Sequence, residues 1–293
     1  MSAYAPPQRK KTTTHSFQSK KQRTLPITML TAYDYATAQA VDRAGIDAIL
    51  VGDSLGMVVL GYESTLPVTM DDMLHHCKAV SRGASYPLLI GDMPFLSYHV
   101  GVDEAVRNAG RFLAEAGMDA VKLEGGREVV EVSQAIIRAG LPVMGHIGLT
   151  PQSINQLGGF KAQGRTALAA RKLIDDALAL EDAGCFSLVL EAVPGRVAEL
   201  ISERIDIPTI GIGAGAGCNG QVLVTHDLLG LFDRFTPRFV KQYADLHGVM
   251  GEALTAYRED VENGLFPADE HTFAISEDEW QHLLEDIDPK LTM

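Results

Sequence analysis

Acidic residues and histidines recur in this chain directly after short apolar runs. The residues in these positions are Asp34, Asp53, Asp92, Glu124, His146, Glu191 and the pair His226 and Asp227. Carboxylates that are brought together repel one another, and either a cation or bound protons relieve that repulsion. A few carboxylates among oxygen ligands suit Mg²⁺, which keeps water molecules and accepts substrate oxygens in its remaining positions. The pattern therefore predicts a magnesium site, provided that the fold makes these side chains converge.

The apolar runs indicate the fold that would bring about this convergence. Eight runs lie at 27–31, 48–51, 88–90, 120–123, 143–147, 188–190, 209–212 and 222–224. Their nearly continuous hydrophobicity is typical of parallel strands covered on both faces, and helical patterns such as 103–116 and 168–183 supply the cover. Eight such units predict an α/β fold, a (βα)₈ TIM barrel, whose strands open with their carboxyl ends on one face. Because no helix separates the last two runs, an open doubly wound sheet stays an alternative.

Asp34 and Lys122 also have structural interpretations. Asp34 precedes a helical pattern and is predicted to be an N-cap, where Asp accepts hydrogen bonds from free backbone N–H groups. Lys122 and Glu124 are two residues apart on one predicted strand, so both point into the barrel while Leu123 faces outward. A buried lysine beside carboxylates stays charged, either to neutralise an anionic substrate or as a structural ion pair.

A serine hydrolase is the alternative from a different functional class. The residues Gly52, Asp53, Ser54 and Leu55 spell the signature of the GDSL hydrolases, in which Ser54 would be the nucleophile. Such an enzyme needs a histidine from a late DxxH motif. Asp72 to His75 has that spacing, but it lies about twenty residues downstream inside a helical pattern and makes a poor partner.

The two ends of the chain differ sharply in charge from the centre. The net charge is −13, yet six Lys or Arg and no acid precede Asp34, and eleven acids against Lys290 alone follow from Glu259 onward. We expect a solvated, polar, basic leader at 1–24, one barrel domain at 25–273 and an acidic extension at 274–293. Helices are predicted at 239–263 and past Ala274, where the extension would dock on a partner subunit. Three widely spaced cysteines and the lack of a long apolar stretch predict a cytoplasmic protein without nucleic-acid or membrane partners.

Long sequence blocks resemble one family, ketopantoate hydroxymethyltransferase, from about Ile27 to Phe273. The blocks are VGDSLGMVVLGYESTLPVT from Val51, GDMPF from Gly91, VKLEGG from Val121, GHIGLTPQS from Gly145, GGFKAQGR from Gly158, LVLEAVP from Leu188 and GQVLVTHDLLGL from Gly220. The resemblance implies a barrel of the phosphoenolpyruvate/pyruvate type and a homo-oligomer, since the family forms decamers. It also implies transfer of a one-carbon unit from 5,10-methylenetetrahydrofolate to the 2-oxo acid 3-methyl-2-oxobutanoate, through a magnesium-stabilised enolate, in pantothenate biosynthesis.

The resemblance also assigns a role to each residue of the predicted site. Asp53 and Asp92 would be metal ligands, with Glu124 completing the Mg²⁺ site directly or through water. The 2-oxo acid would be bound by Asp53, Ser54, Asp92, Lys122 and His146, and Glu191 would be the general base. The nearest alternative on the same barrel is a metal-enolate carbon–carbon lyase of the isocitrate lyase type, which needs no folate.

Overall fold

Eight parallel strands form a closed barrel in the computed structural model, which describes residues 9–159 and 161–287. Each strand pairs with its sequence neighbours, and the last strand pairs with the first. The strands are β1 (Ile27–Thr31), β2 (Ala48–Val51), β3 (Leu88–Asp92), β4 (Ala120–Glu124), β5 (Val143–Gly148), β6 (Ser187–Glu191), β7 (Thr209–Ile212) and β8 (Gly220–Leu223). The predicted (βα)₈ barrel is confirmed, and the open sheet is wrong.

Helices surround the strands. They are α1 (Thr14–Gln22), α2 (Tyr35–Arg43), α3 (Leu55–Val58), α4 (Met70–Gly83), α5 (Val102–Ala114), α6 (Val130–Arg138), α7 (Ile154–Leu157), α8 (Ala167–Asp182), α9 (Gly195–Arg204) and α10 (Thr225–Leu228), with 3-10 turns at Arg127–Val129 and Pro151–Ser153. No helix lies between β7 and β8 in the described chain, as the sequence predicted. None of the described helices is both long and apolar enough to cross a membrane.

Side chains alternate between two apolar layers along each strand, because successive residues of a strand face opposite sides. On β4, Val121 and Leu123 belong to the outer layer under the helices, whereas Ala120 belongs to the layer inside the barrel. Lys122 and Glu124 are almost fully buried on the inner side, as predicted. The upper interior of the barrel is therefore polar, and its lower interior is apolar.

Helix α1 lies within the segment that was predicted to be a solvated leader. Phe17 of this helix is fully buried, belongs to the inner apolar layer and contacts Phe186 edge-on with 5.9 Å between ring centroids. The Lys21 ammonium donates hydrogen bonds to the carbonyls of Ser202, Ile205 and Ile207 at the chain segment that leads into β7. The expectation of a fully solvated leader is wrong for this helix, because the apolar lower interior needs a cover.

The contacts of the chain divide it after Ala244 into two units. The second unit contains α11 (Leu246–Glu262), a 3-10 turn at Asp269–His271 and α12 (Glu277–Ile287). Helix α11 begins seven residues later than predicted from the pattern at Phe239, because Asp245 caps it by accepting a hydrogen bond from the Gly248 N–H. The division into 1–24, 25–273 and 274–293 stays a prediction, and residues 288–293 lie outside the described part.

Candidate active site

A cavity of about 820 Å³ opens at the carboxyl ends of the strands. The barrel brings every predicted site residue into the wall of this cavity, from the ends of the five strands β2 to β6 and the loops that follow them. These residues are Asp53, Ser54, Asp92, Lys122, Glu124, His146 and Glu191. Their convergence follows from the topology, because parallel strands in a closed barrel all end at the same rim. The roles given to the individual residues stay predictions.

Lys122 is the centre of the charged part of this cavity. Its ammonium lies 2.8 Å from Asp92 Oδ1 and 3.8 Å from Glu124 Oε1, and only 3% of the residue is exposed. Burial alone would lower the pKa of Lys122, but the charges of Asp92, Glu124 and Asp53 raise it above its ordinary value. Lys122 is therefore a fixed positive charge at the base of the cavity.

Asp53 and Asp92 lie side by side. The Asp53 backbone N–H donates to Asp92 Oδ2 at 3.2 Å, and both side chains are buried. Burial raises the pKa of Asp53 well above its ordinary value, and the charges of Asp92 and Glu124 raise it further. Burial also raises the pKa of Asp92, against the opposing charge of Lys122. Lys122 therefore compensates only part of the negative charge of this pair.

His146 lies between two carboxylates. Its Nδ1 is 3.5 Å from Glu124 Oε1, and its Nε2 is 3.3 Å from Glu191 Oε2. Burial and the nearby Lys122 lower the pKa of His146, but Glu124 and Glu191 outweigh them and raise it to about 9. His146 Nδ1 also lies 3.2 Å from the Lys122 ammonium, so the imidazole ring contacts Lys122 and both carboxylates. Glu191 keeps 17% of its side chain exposed to the cavity.

The close approach of β5 and β6 at Glu191 depends on a glycine. Gly148 has a φ of +101°, and a Cβ atom there would lie 2.2 Å from the Glu191 carbonyl oxygen. Any side chain at this position would be strained and would push the two strand ends apart. Gly148 therefore keeps the Glu191 carboxylate within reach of His146.

Gln152 is a site residue that the sequence reasoning missed. Its side-chain amide donates to Asp53 Oδ2 at 2.9 Å and to the Met93 carbonyl at 3.0 Å. Its backbone N–H donates to Glu124 Oε2 at 3.0 Å, and the Tyr98 hydroxyl donates to its Oε1 at 2.8 Å. Gln152 carries no charge and follows no apolar run directly, so its only signal was its place in the block GHIGLTPQS.

The hydrolase interpretation lacks a base for the serine. The Ser54 hydroxyl lies 2.8 Å from the Tyr33 hydroxyl, and no histidine among the described residues is hydrogen-bonded to it. Asp72 of the DxxH motif instead accepts hydrogen bonds from Thr69 in the N-terminal cap of α4. Asp34 caps α2 by accepting from the Thr37 N–H at 2.8 Å, as predicted.

The donor set of the cavity suits a divalent cation that keeps part of its water shell. Among residues 9–159 and 161–287, no three Asp, Glu, His or Cys side chains are grouped as a metal site. Asp53 and Asp92 nevertheless fit Mg²⁺, which commonly binds one or two carboxylates and completes its shell with water and substrate. Even with Lys122 and His146 both charged, the four carboxylates around them, Asp53, Asp92, Glu124 and Glu191, leave a formal excess of two negative charges in this part of the cavity. A divalent cation would neutralise that excess.

Comparison with known proteins gives consistent matches. The family described as ketopantoate hydroxymethyltransferase matches residues 11–269. A curated relative named 3-methyl-2-oxobutanoate hydroxymethyltransferase from Oleidesulfovibrio alaskensis is 58% identical to this chain, over 91% of this chain and 92% of the relative. A relative of the same name from Acetivibrio thermocellus is 55% identical, over 95% of this chain and 97% of the relative. Another of that name, from Syntrophus aciditrophicus, is 58% identical over 90% and 97%.

Solved structures with low sequence identity share the fold. Phosphonopyruvate hydrolase in complex with oxalate and Mg²⁺ superimposes with a TM-score of 0.59 at 12% identity, over 94% of this chain and 98% of that one. A 2,3-dimethylmalate lyase, described as a member of the PEP mutase/isocitrate lyase superfamily, has a TM-score of 0.55 at 14% identity, over 94% and 99%. At such identities the likeness shows the barrel architecture alone.

Proposed function

Because the chain belongs to the ketopantoate hydroxymethyltransferase family, we propose that it transfers a hydroxymethyl group from 5,10-methylenetetrahydrofolate to 3-methyl-2-oxobutanoate. The product is 2-dehydropantoate, an intermediate of pantothenate biosynthesis. One arrangement supports this function. Lys122 and the pair Asp53 and Asp92 form a buried charged group in the cavity wall, whereas the more exposed Glu191 faces the cavity from the end of β6.

We propose Asp53 and Asp92 as the residues that hold Mg²⁺, with Glu124 acting on the site through water. Bound there, magnesium supplies Lewis acidity to the keto and carboxylate oxygens of the oxo acid and makes the neighbouring C3–H more acidic. Glu124 is less suited to direct binding, because Oε2 already accepts from the Gln152 N–H and Oε1 lies toward His146 and Lys122.

The protein residues carry out the proton transfer and bind the charged substrate. The Lys122 ammonium and the Ser54 hydroxyl bind the anionic oxo acid, and Lys122 stabilises the negative charge that grows as C3 loses its proton. Glu191 accepts that proton while His146 fixes the orientation of its carboxylate. C3 then attacks the methylene carbon of the folate co-substrate. Both bonds from that carbon to the folate nitrogens break, and the proton on Glu191 and one proton of a water molecule pass to these nitrogens. The water oxygen becomes that of the new hydroxyl group, and tetrahydrofolate leaves.

Deuterium exchange tests this function. The protein is mixed with 3-methyl-2-oxobutanoate in D₂O, with and without Mg²⁺, and deuterium at C3 is followed by NMR before methylenetetrahydrofolate is added. We expect Mg²⁺-dependent exchange, which Glu191→Gln slows by roughly 10²- to 10⁴-fold, the usual contribution of a general base. Glu199→Gln is the matched control, because Glu199 is an exposed acid on α9, just after the β6 loop.

Several outcomes would contradict the proposal. Exchange that survives removal of metal, or that is normal in Glu191→Gln, would overturn the assigned chemistry. Exchange without folate-dependent product would indicate a lyase of the isocitrate lyase type. The absence of any exchange would leave the hydrolase class, which the contact between Ser54 and Tyr33 does not favour.

We also propose a cytoplasmic homo-oligomer. The described part of the chain has three free cysteines, which suit a reducing compartment. Helix α11 exposes several large apolar side chains, as a helix that packs against another subunit would: Val249, Met250, Leu254, Tyr257 and Val261. Light scattering at micromolar concentration would measure the subunit number, and a monomer would contradict this proposal.

A further inference from the structure

The cavity has a charged half and an apolar half. The charged half lies at the ends of β2 to β6 and holds the residues described above. The ends of β7 and β8 and the segment after α10 line the other half with Ile212, Val222, Val224, Phe232, Phe235 and Phe239. The total volume of about 820 Å³ is in the upper part of the range of roughly 300–1,000 Å³ that encloses drug-sized ligands. A five-carbon oxo acid therefore leaves the apolar half free for a second, larger ligand.

Asp227 is the carboxylate of this apolar half. The residue is 8% exposed and lines the cavity, and its side chain makes no hydrogen bond or ion pair with any residue in the described chain. The other four carboxylates of the cavity all have such partners. Burial raises the pKa of Asp227 to about 6. The Asp227 carboxylate thus faces the cavity without a donor from the described chain, and a ligand that supplies N–H groups would provide its hydrogen-bond partners.

We infer that Asp227 binds the 2-amino-4-oxo edge of the pterin of the folate co-substrate, an inference that rests on the proposed function. That edge presents the N3–H and a 2-amino N–H side by side, and a carboxylate accepts two such parallel donors in a bidentate arrangement. The phenylalanine rings provide apolar and aromatic faces on which a planar pterin can pack.

The position of the proposed pterin site suits the reaction. Glu191 is the last residue of β6, which pairs with β5 of the charged half on one side and with β7 of the apolar half on the other. A pterin bound at β7 and β8 would thus approach the oxo acid from the side on which the C3 proton leaves. Lys161 and Arg238 are exposed residues of the cavity wall, and they provide positive charge for the carboxylates of the glutamate tail.

The first test compares Asp227→Asn with Asp34→Asn in the full-length protein. Asp34 is an exposed acid after β1 that does not line the cavity, and Asn caps a helix as well as Asp does. Binding of tetrahydrofolate is measured by calorimetry, and deuterium exchange at C3 is measured without folate. For Asp227→Asn we expect tetrahydrofolate to bind roughly 10- to 100-fold more weakly, as for loss of a charge-assisted hydrogen bond, with exchange within twofold of wild type.

The outcomes separate this inference from the proposed function. If wild-type protein shows no exchange, the proposed function fails. If exchange is normal and Asp227→Asn binds tetrahydrofolate within twofold of wild type, the pterin contact is refuted. Loss of exchange in a folded Asp227→Asn would also refute it, because Asp227 would then serve the oxo acid.

A ligand analogue tests the contact without a protein variant. A tetrahydrofolate that carries a methyl group in place of the 2-amino group lacks one of the two proposed donors. Wild-type protein should bind it at least about tenfold more weakly than tetrahydrofolate, whereas Asp227→Asn should bind both with similar affinity. Equal binding of the two ligands by wild-type protein would show that Asp227 does not contact this edge. The same conclusion would follow if Asp227→Asn bound the analogue more weakly than tetrahydrofolate by the same factor as wild type does.

Discussion

Replacing Lys122 by Met should destabilise the protein by about 3–5 kcal/mol at pH 8, the cost of removing one partner of a buried ion pair. Met keeps most of the volume of the side chain but removes the charge that lies 2.8 Å from Asp92 Oδ1 and 3.8 Å from Glu124 Oε1. Both carboxylates are nearly inaccessible to water, so solvent cannot replace the ammonium. The free energy of unfolding from urea titration measures the loss.

The matched control is Lys78→Met. Lys78 lies 3.9 Å from Glu115, and both side chains are more than 40% exposed. Solvent screens such a pair, so this substitution should cost under about 1 kcal/mol. A loss of similar size in the two variants would refute the electrostatic role of Lys122.

The loss of stability in Lys122→Met should depend on pH. Without Lys122, the pKa of Asp92 should rise further, because burial is no longer opposed. The pKa of an Asp carboxyl group is about 3.9 in the unfolded state. When its pKa is higher in the folded state, the protein loses stability as pH rises from about 3.9 to the folded-state pKa. The deficit of Lys122→Met should therefore be smaller at pH 5 than at pH 8. At one hundred times its dissociation constant, Mg²⁺ should stabilise folded Lys122→Met by about 2.7 kcal/mol at pH 8. A deficit that does not change with pH would contradict the reasoning.

Three further outcomes are expected. Gln152→Leu removes the donor that orients Asp53, so Mg²⁺ should bind roughly 10- to 100-fold more weakly by calorimetry, and unchanged affinity would argue against metal at Asp53. Phe17→Ala should lower the free energy of unfolding by about 3–5 kcal/mol, whereas exposed His15→Ala should change it by less than about 0.5 kcal/mol; equal effects would mean that α1 does not cover the barrel. Tetrahydrofolate affinity should fall below the pH of about 6 at which Asp227 gains a proton, and should stay flat across that range in Asp227→Asn.

The sequence by itself determined the barrel and the ring of polar residues at its rim. Parallel strands that are covered on both faces must be apolar, so the strands could be located from composition, to within two residues at the start of β8 and at the end of β3. Because the carboxyl end of each strand reaches the same rim, the position of Asp53, Asp92, Glu124 and Glu191 along the chain predicted that they share one cavity.

Only the tertiary structure decided which of these groups compensate one another. Gln152 contacts Asp53 across 99 residues of sequence, and an uncharged amide gives no local periodicity or charge pattern that would reveal such a contact. Phe17 looked like part of a polar leader, because the need to cover the lower end of the barrel arises only when the strands close. Asp227 has no side-chain partner among the described residues, unlike the other carboxylates of the cavity, and the partners of a buried charge depend on packing between distant segments.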